Sequence, residues 1–167
     1  MKSIVIEVIT ELSSGGAERF VVDLCNEMSL TRPVILVILQ KLEPNWFYLN
    51  EISDRVKVIS LQKSIGFSFR TCIKLTSLIL KEKPAVVHTH LSALYYTVIA
   101  AFLFHWRIRF IHTLHNDAIP EAENKFGVWI RKILFCLRLV IPVTISEKSQ
   151  ESFSKLYCCK SSMIYNG

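Results

Sequence analysis

The sequence is poor in glycine and proline, with five of each among 167 residues, and its five cysteines follow no repeated spacing. Disordered, low-complexity and collagen-like chains are rich in glycine or proline, so the composition excludes those classes. The cysteines are odd in number and form no C-x-x-C pair, which predicts free thiols in a reducing compartment. Because 51% of the residues are hydrophobic, we expect one domain over residues 1–167 with its own core.

Long hydrophobic runs are also missing. The longest uncharged apolar stretch, Leu91–Trp106, has 16 residues, whereas a membrane-spanning helix needs about 20. The N-terminal run Ile4–Ile9 is short and is interrupted by Glu7, which argues against a secretion signal. We therefore expect a cytoplasmic protein whose membrane contact would be with the inner face of the cell membrane.

Acidic side chains are in the minority, with 14 Asp and Glu against 20 Lys and Arg and a net charge of +6. Residues 61–167 alone carry 14 basic and 6 acidic side chains, a net +8. This excess favours an anionic partner such as a phosphorylated ligand or an anionic membrane surface. Zinc-finger spacing, an RNA-binding aromatic signature and arginine-rich tracts are all missing, so we expect no nucleic-acid partner.

What the sequence does contain is an alternation of short apolar runs and longer amphipathic segments. The runs predict strands at Ile4–Ile9, Val34–Leu39, Val56–Ser60, Ala85–His88, Arg109–Leu114, Val140–Ile145 and Ser162–Tyr165. The amphipathic segments predict helices at Ala17–Leu30, Phe67–Lys81, Leu91–Phe104, Ala122–Arg138 and from Ser146 to about Tyr157. Solid apolar strands between helices predict an α/β, Rossmann-like fold with a parallel sheet of about seven strands and helices on both faces.

The first predicted strand is followed by two glycines that precede a helix, Gly15 and Gly16. Bare backbone N–H groups at a helix N-terminus can bind a phosphate group. The segment matches neither G-x-G-x-x-G nor a Walker loop. The alternative is an ordinary turn that requires a positive φ angle.

Four histidines flank the ends of the fourth and fifth predicted strands. His88 and His90, and His112 and His115, have spacings found among metal ligands. Side chains alternate between the two faces of a strand, so His112 and His115 need not point the same way. No cluster of Cys, Asp or Glu with ligand spacing accompanies the histidines. We therefore expect no metal, and the alternative is ordinary hydrogen-bonded or exposed histidines. His115 differs because it lies just past a strand end, beside Asn116, where parallel sheets bind ligands.

Two predicted helices carry cations beside apolar residues. Arg70 and Lys74 share a face of the second helix, while Arg131 and Arg138 form a row along the fourth. An apolar strip flanked by cations suits an anionic membrane surface, so these four residues are the candidates for membrane contact. The alternative is a solvated face.

Five segments follow one another in a specific order and register. They are Gly15–Arg19, Pro84–His90, Ile111–Asn116, Val143–Glu147 and Ile164–Gly167. Together they resemble the amino-terminal domain of the family 4 glycosyltransferases, which are retaining enzymes with the GT-B fold. The resemblance covers essentially the whole chain and implies the first of two Rossmann-like domains that face a cleft. The C-terminal domain, which binds most of the nucleotide sugar in that family, would be absent from this chain.

The resemblance also assigns roles to individual residues. Gly15, Gly16 and Ser146 would lie near the donor diphosphate, and His115 would face the reacting sugar or acceptor as the catalytic residue. The acceptor side would include His88, His90, Asn116 and Glu147.

The implied chemistry moves a sugar from a nucleotide-diphosphate sugar, the donor substrate, to a hydroxyl of a glycan or a lipid-linked acceptor, as in polysaccharide biosynthesis. The resemblance implies no metal or other cofactor. The full-length protein would be the enzyme, and this chain alone is expected to be inactive because the missing half supplies most donor contacts. Two alternatives stay open from the residues themselves. They are a non-catalytic α/β ligand-binding module and a metal-dependent hydrolase that uses the histidines.

Overall fold

A computed structural model describes residues 3–122 and 124–165 and contains one sheet of seven parallel strands. The strands lie in the order β3-β2-β1-β4-β5-β6-β7. Their bounds are Val5–Ile9 (β1), Val34–Gln40 (β2), Val56–Lys63 (β3), Val86–His90 (β4), Arg109–Leu114 (β5), Ile141–Thr144 (β6) and Ser162–Met163 (β7). The predicted fold class is confirmed. The last motif residues, Asn166 and Gly167, lie outside the described residues.

The strand order places a switch point in the middle of the sheet. The chain builds outward from β1 through β2 to β3 and then returns to the other side of β1 as β4. Val5 of β1 is in register with Val34 of β2 on one side and with Val86 of β4 on the other. Connections that leave in opposite directions open a crevice at the carboxyl ends of β1 and β4, which is where such sheets bind ligands.

Helices cover both faces of the sheet, although unequally. Their bounds are Gly16–Ser29 (α1), Phe69–Glu82 (α2), Leu94–Phe104 (α3), Ala118–Ala122 (α4), Lys125–Cys136 (α5) and Glu147–Tyr157 (α6), with short 3₁₀ turns at Leu49–Glu51 and Leu91–Ala93. On one face α1 packs Val21, Val22 and Cys25 against β1, β2 and β3. The opposite face carries a larger core to which α2, α3, α5 and α6 contribute. Among the described helices, none has the length and apolar content needed to cross a membrane.

The fourth predicted helix, Ala122–Arg138, is shorter in the structure, as α5, and a separate short helix, α4, precedes it. α4 ends at Ala122, and α5 begins after Asn124, whose side chain accepts a hydrogen bond from the Gly127 N–H at 2.9 Å. A Cβ atom at Gly127 would collide with the Ala122 carbonyl and the Tyr95 hydroxyl, so glycine permits this close approach. Because α5 ends at Cys136, Arg138 lies beyond the helix in a left-handed conformation with φ 56°.

One strand also differs from the prediction in a way that matters for the site. β4 extends two residues further, to His90, so His88 and His90 lie on one strand and point to the same face. β6, which contains Pro142, lies next to the edge of the sheet, where the short β7 pairs with it through Val143 and Ser162.

Candidate active site

A buried polar cluster occupies the switch point on the α1 face of the sheet. This Glu7 cluster consists of Glu7, His88, His90, Thr113 and His115. Glu7 lies in register with His88, and its carboxylate is 1% exposed. Its Oε2 atom lies 3.0 Å from His88 Nδ1 and 2.8 Å from His90 Nε2. The opposite nitrogens of the two rings lie 2.8 Å from Thr113 Oγ1 and 2.9 Å from His115 Nε2.

The electrostatics of the Glu7 cluster follow from its burial. Burial would raise the pKa of Glu7, but His88 and the hydrogen bonds from both rings outweigh it and lower the pKa to about 2. For the histidines burial acts in the opposite direction, because it disfavours the charged imidazolium, and it lowers the pKa of His90 and of His115 to about 4. At neutral pH the cluster therefore holds an ionised carboxylate, and the rings of His90 and His115 are uncharged.

The histidines contact the start of α1 through one aromatic side chain. The Phe20 ring lies 5.3 Å from the His115 ring and 6.0 Å from the His90 ring, measured between centroids. Phe20 stands one helical turn after Gly16. The glycine segment and His115 are therefore neighbours at the carboxyl edge of the sheet.

Neither Gly15 nor Gly16 has the left-handed backbone conformation that favours glycine. Gly15 is the N-cap of α1 with φ −95°, and Gly66 is the one glycine with positive φ within the described residues. A Cβ at Gly15 would meet the Glu18 carboxylate, whereas a Cβ at Gly16 would point into open space. The Gly15 cap makes no side-chain hydrogen bond to α1, so the first N–H groups of this helix receive no cap from it. The alternative of a turn requiring positive φ is thus wrong.

The loop after β5 is held by one carboxylate. Glu121 Oε2 accepts hydrogen bonds from the backbone N–H groups of His115 at 2.8 Å and Asn116 at 3.1 Å. The Asn116 carbonyl in turn accepts from Ser149 Oγ in the first turn of α6 at 3.3 Å. Ser146 caps that helix, since its side chain accepts from the Ser149 N–H. Glu147 is exposed and accepts from the Tyr165 hydroxyl at 3.1 Å.

Arg131 is not a surface cation, and its assignment to membrane contact is wrong. Its side chain is 0% exposed and belongs to a second cluster on the opposite face of the sheet. This Glu121 cluster consists of Glu121, His112, Arg131, Thr89 and Tyr95. Arg131 Nη1 lies 3.1 Å from Glu121 Oε1 and 2.8 Å from His112 Nε2, and Nε donates to the Tyr95 hydroxyl at 3.1 Å. Burial would have been prohibitive for this cation without such partners.

The Glu121 cluster also supports the rim of the Glu7 cluster. Leu91, the residue after His90, has a left-handed backbone with φ 53°, which is unfavourable for a residue with a side chain. Its carbonyl accepts a hydrogen bond from Arg131 Nη2 at 3.2 Å. The buried arginine therefore holds the chain where β4 ends.

A cavity of about 430 Å³ lies on the α1 face of the sheet. Glu7, His88 and Thr113 form its polar wall, and apart from Arg32 the remaining lining is apolar, from α1, β1, β4, β5 and the strand end at Ile145. Of the histidines, His88 reaches the cavity, while His90 is fully buried behind it. His90 reaches the rim through its contacts with His115 and Phe20.

The other predicted membrane-contact cations, Arg70, Lys74 and Arg138, are exposed. The segment that leads into α2 exposes large apolar side chains next to two of them. Ile65, Phe67 and Phe69 are 102%, 68% and 63% exposed. These three residues were not among those predicted to contact a membrane.

Comparison with known proteins identifies the family. Residues 14–167 match the family described as Glycosyltransferase Family 4, which is most of the chain. The chain belongs to glycosyltransferase family 4. A comparison with curated proteins finds no match.

Solved structures agree with this family 4 chain in fold. A glycosyltransferase from Rickettsia africae ESF-5 superimposes with a TM-score of 0.75 at 16% identity, over 99% of this chain and 43% of that one. A UDP-N-acetylglucosamine 2-epimerase from Rickettsia bellii gives a TM-score of 0.59 at 16% identity, over 93% and 42%. The chain thus spans less than half the length of these solved chains, and the likeness concerns the fold alone.

In this family 4 chain the structure places most of the predicted site residues close to one another. His90 contacts both His88 and His115, and the Asn116 carbonyl accepts a hydrogen bond from the α6 helix that Ser146 caps. Sequence analysis missed the two carboxylates that organise the site, Glu7 and Glu121. The signal for Glu7 was a single charge inside an otherwise apolar strand, which a buried strand tolerates only with partners.

Proposed function

We propose that this chain is the amino-terminal, acceptor-side half of a glycosyltransferase that moves a sugar from a nucleotide-diphosphate sugar to a hydroxyl of a glycan or lipid-linked acceptor. One observation carries the proposal beyond family membership. The start of α1 and His115 lie at one rim, linked by the contact between Phe20 and the His115 ring. The ligand-binding module and the hydrolase gain no support from the comparisons.

The start of α1 suits the leaving group of such a reaction. Departure of a nucleoside diphosphate leaves negative charge, and helix N–H groups with the helix dipole stabilise an anion at this end. The side chain of Glu18 lies beside Gly15 and accepts from the Ser13 hydroxyl at 3.1 Å, so this acid complements the helix end in the free chain. Gly16, which faces open space, is the residue where a diphosphate can approach.

His115 suits a neutral hydrogen-bonding role toward the sugars. Its Nε2 is engaged by His90, which leaves Nδ1 for a ligand. Because burial lowers its pKa to about 4, the ring is uncharged at neutral pH. A neutral imidazole orients a sugar hydroxyl through a hydrogen bond rather than by attracting the diphosphate.

The test is an assay of nucleoside-diphosphate release by the complete gene product, with a panel of nucleotide sugars and with or without acceptor lipid or glycan. His115→Ala should lower turnover by about 10²-fold, the loss typical of removing one preorganised hydrogen-bonding group, without unfolding the protein. The matched control is His105→Ala, which removes an exposed histidine at the end of α3. The proposal fails if no nucleotide sugar is turned over, or if both variants have wild-type activity.

We further propose that an anionic membrane surface is a partner, at the inner face of the cell membrane. The support is the pairing of exposed apolar residues Ile65, Phe67 and Phe69 with exposed Arg70 and Lys74 around the start of α2. Apolar side chains that enter the headgroup region and cations that meet anionic lipids act together at such surfaces.

A further inference from the structure

We propose that Glu7, His88 and His90 bind a divalent transition-metal ion, with zinc as the best-matched ion, at the switch point of the sheet. Each of the three side chains offers one ligand atom, and these three atoms all lie within 4.8 Å of one another. The proposal concerns binding and does not depend on sugar transfer.

The backbone fixes this convergence. His88 and His90 are two residues apart on β4, so the strand pleat directs both rings to the α1 face. Glu7 comes to the same face because it stands opposite His88 in the parallel β1–β4 pair. The site is therefore built on two central strands rather than on loops, which favours a defined ligand geometry.

Charge is the second argument. The Glu7 carboxylate is 1% exposed, and within residues 3–122 and 124–165 no Lys or Arg nitrogen lies within ion-pair distance of it. The other buried carboxylate in a histidine cluster, Glu121, has Arg131 at 3.1 Å. A buried anion is costly unless it is paired or coordinates a metal. A divalent ion supplies a positive charge that no Lys or Arg among the described residues supplies to Glu7.

The donor set selects the class of ion. Two imidazoles and one carboxylate are the ligands of His₂Glu zinc centres, and hard cations such as Mg²⁺ and Ca²⁺ prefer all-oxygen sites. Tetrahedral zinc with bonds of about 2.1 Å holds its ligand atoms about 3.4 Å apart. Glu7 Oε2 lies 3.0 Å and 2.8 Å from the two histidine nitrogens, so the side chains need to separate by only about half an ångström.

Each histidine also has a partner for its second nitrogen, as metal-bound histidines do. His88 Nε2 lies 2.8 Å from Thr113 Oγ1, and His90 Nδ1 lies 2.9 Å from His115 Nε2. With the metal at the nitrogens that face Glu7, the N–H groups at the far nitrogens donate to Thr113 and His115. The cavity that reaches Glu7 and His88 gives the ion an entry path and room for water ligands.

The experiment titrates Zn²⁺ and Co²⁺ into the chelator-treated 167-residue chain by calorimetry, with the cobalt spectrum recorded in parallel. The background variant Cys136→Ser, Cys158→Ser, Cys159→Ser removes the thiols that line a separate cavity. We expect one ion per chain in both backgrounds and a cobalt spectrum without thiolate charge transfer.

Glu7→Gln and His88→Ala should each weaken metal binding by more than about 100-fold, because each removes a ligand. The loss of a residue that merely hydrogen-bonds to a ligand already costs about 10–100-fold in metal affinity. Thr113→Val should weaken it by about 10-fold or more, and His105→Gln, which changes an exposed histidine, should not weaken it. Circular dichroism checks that each variant is folded, and His88→Ala serves if Glu7→Gln does not fold. The proposal is overturned if the wild type binds neither ion, if binding disappears with the three thiols, or if a folded Glu7→Gln or His88→Ala binds like the wild type.

Discussion

Replacing Arg131 by methionine should destabilise the protein far more than replacing the neighbouring Lys132. Methionine keeps much of the arginine's length and removes its charge and donors. Arg131 is 0% exposed, and its loss leaves the buried Glu121 carboxylate without its cation. Lys132 is exposed and serves as the matched control on the same helix.

The size of the effect follows from the contacts that disappear. Arg131 donates to the Tyr95 hydroxyl and to the carbonyls of Leu91 and Glu121, and it pairs with the Glu121 carboxylate. Breaking a buried ion pair from one side costs about 3–5 kcal/mol. For a chain of this size that free energy lowers Tm by about 10 °C. Lys132→Met should stay within about 0.5 kcal/mol of the wild type.

Urea unfolding followed by circular dichroism measures both variants against the wild type. The double variant Arg131→Met, Glu121→Gln adds a sharper test, because it leaves no unpaired charge in the cluster. It should be more stable than Arg131→Met alone, since the two effects are coupled through one ion pair. A loss below about 1 kcal/mol for Arg131→Met, or a double variant that is the least stable of all, would refute the role given to this pair.

Two further predictions concern pH and lipid. Burial lowers the pKa of His112, which faces Thr89, Glu121 and Arg131, to about 4. As the pH falls below the ordinary histidine pKa of 6.5, the unfolded chain therefore binds the proton before the folded chain does, and stability is lost. Between about pH 7.5 and about pH 5.5 the wild type should lose about 1 kcal/mol more than His112→Asn in urea titrations, and equal losses would contradict this. Ile65→Ser together with Phe67→Ser should abolish co-sedimentation with anionic vesicles at low salt. Equal binding of the wild type to neutral and anionic vesicles, or binding to neither, would contradict the proposal of an anionic membrane partner.

The fold could be predicted from the sequence because its signals are local. Runs of β-branched residues such as Val34–Leu39 mark strands, and each is followed by an amphipathic segment. The rim position of His115 was also predictable, because the carboxyl ends of parallel strands meet at one edge. Which strands are neighbours is not a local property. Glu7 and His88 are 81 residues apart, and only the β1–β4 pairing brings them together.

The buried arginine was misassigned for a related reason. Helical periodicity grouped Arg131 with Arg138, and charged residues usually lie at the surface. In the structure the helix ends at Cys136, so Arg138 falls outside it, and the face that carries Arg131 also carries the buried Phe135. The cation is tolerated there because Glu121 lies on the preceding short helix, α4. Periodicity cannot reveal a partner on another element.

The pleat of β4 and β5 separates the two carboxylate clusters onto opposite faces of the same strands. Thr89 and His112 point to the Glu121 cluster, while His88 and Thr113 point to the Glu7 cluster. In the first the carboxylate has its arginine, so its contribution is to stability and to the loop that carries His115. In the second the carboxylate pairs with imidazoles and with no Lys or Arg of residues 3–122 and 124–165, and a cavity reaches it. A buried carboxylate needs a cationic or metal partner more than one that already has its arginine, which is the physical reason to look for a ligand at Glu7 rather than at Glu121.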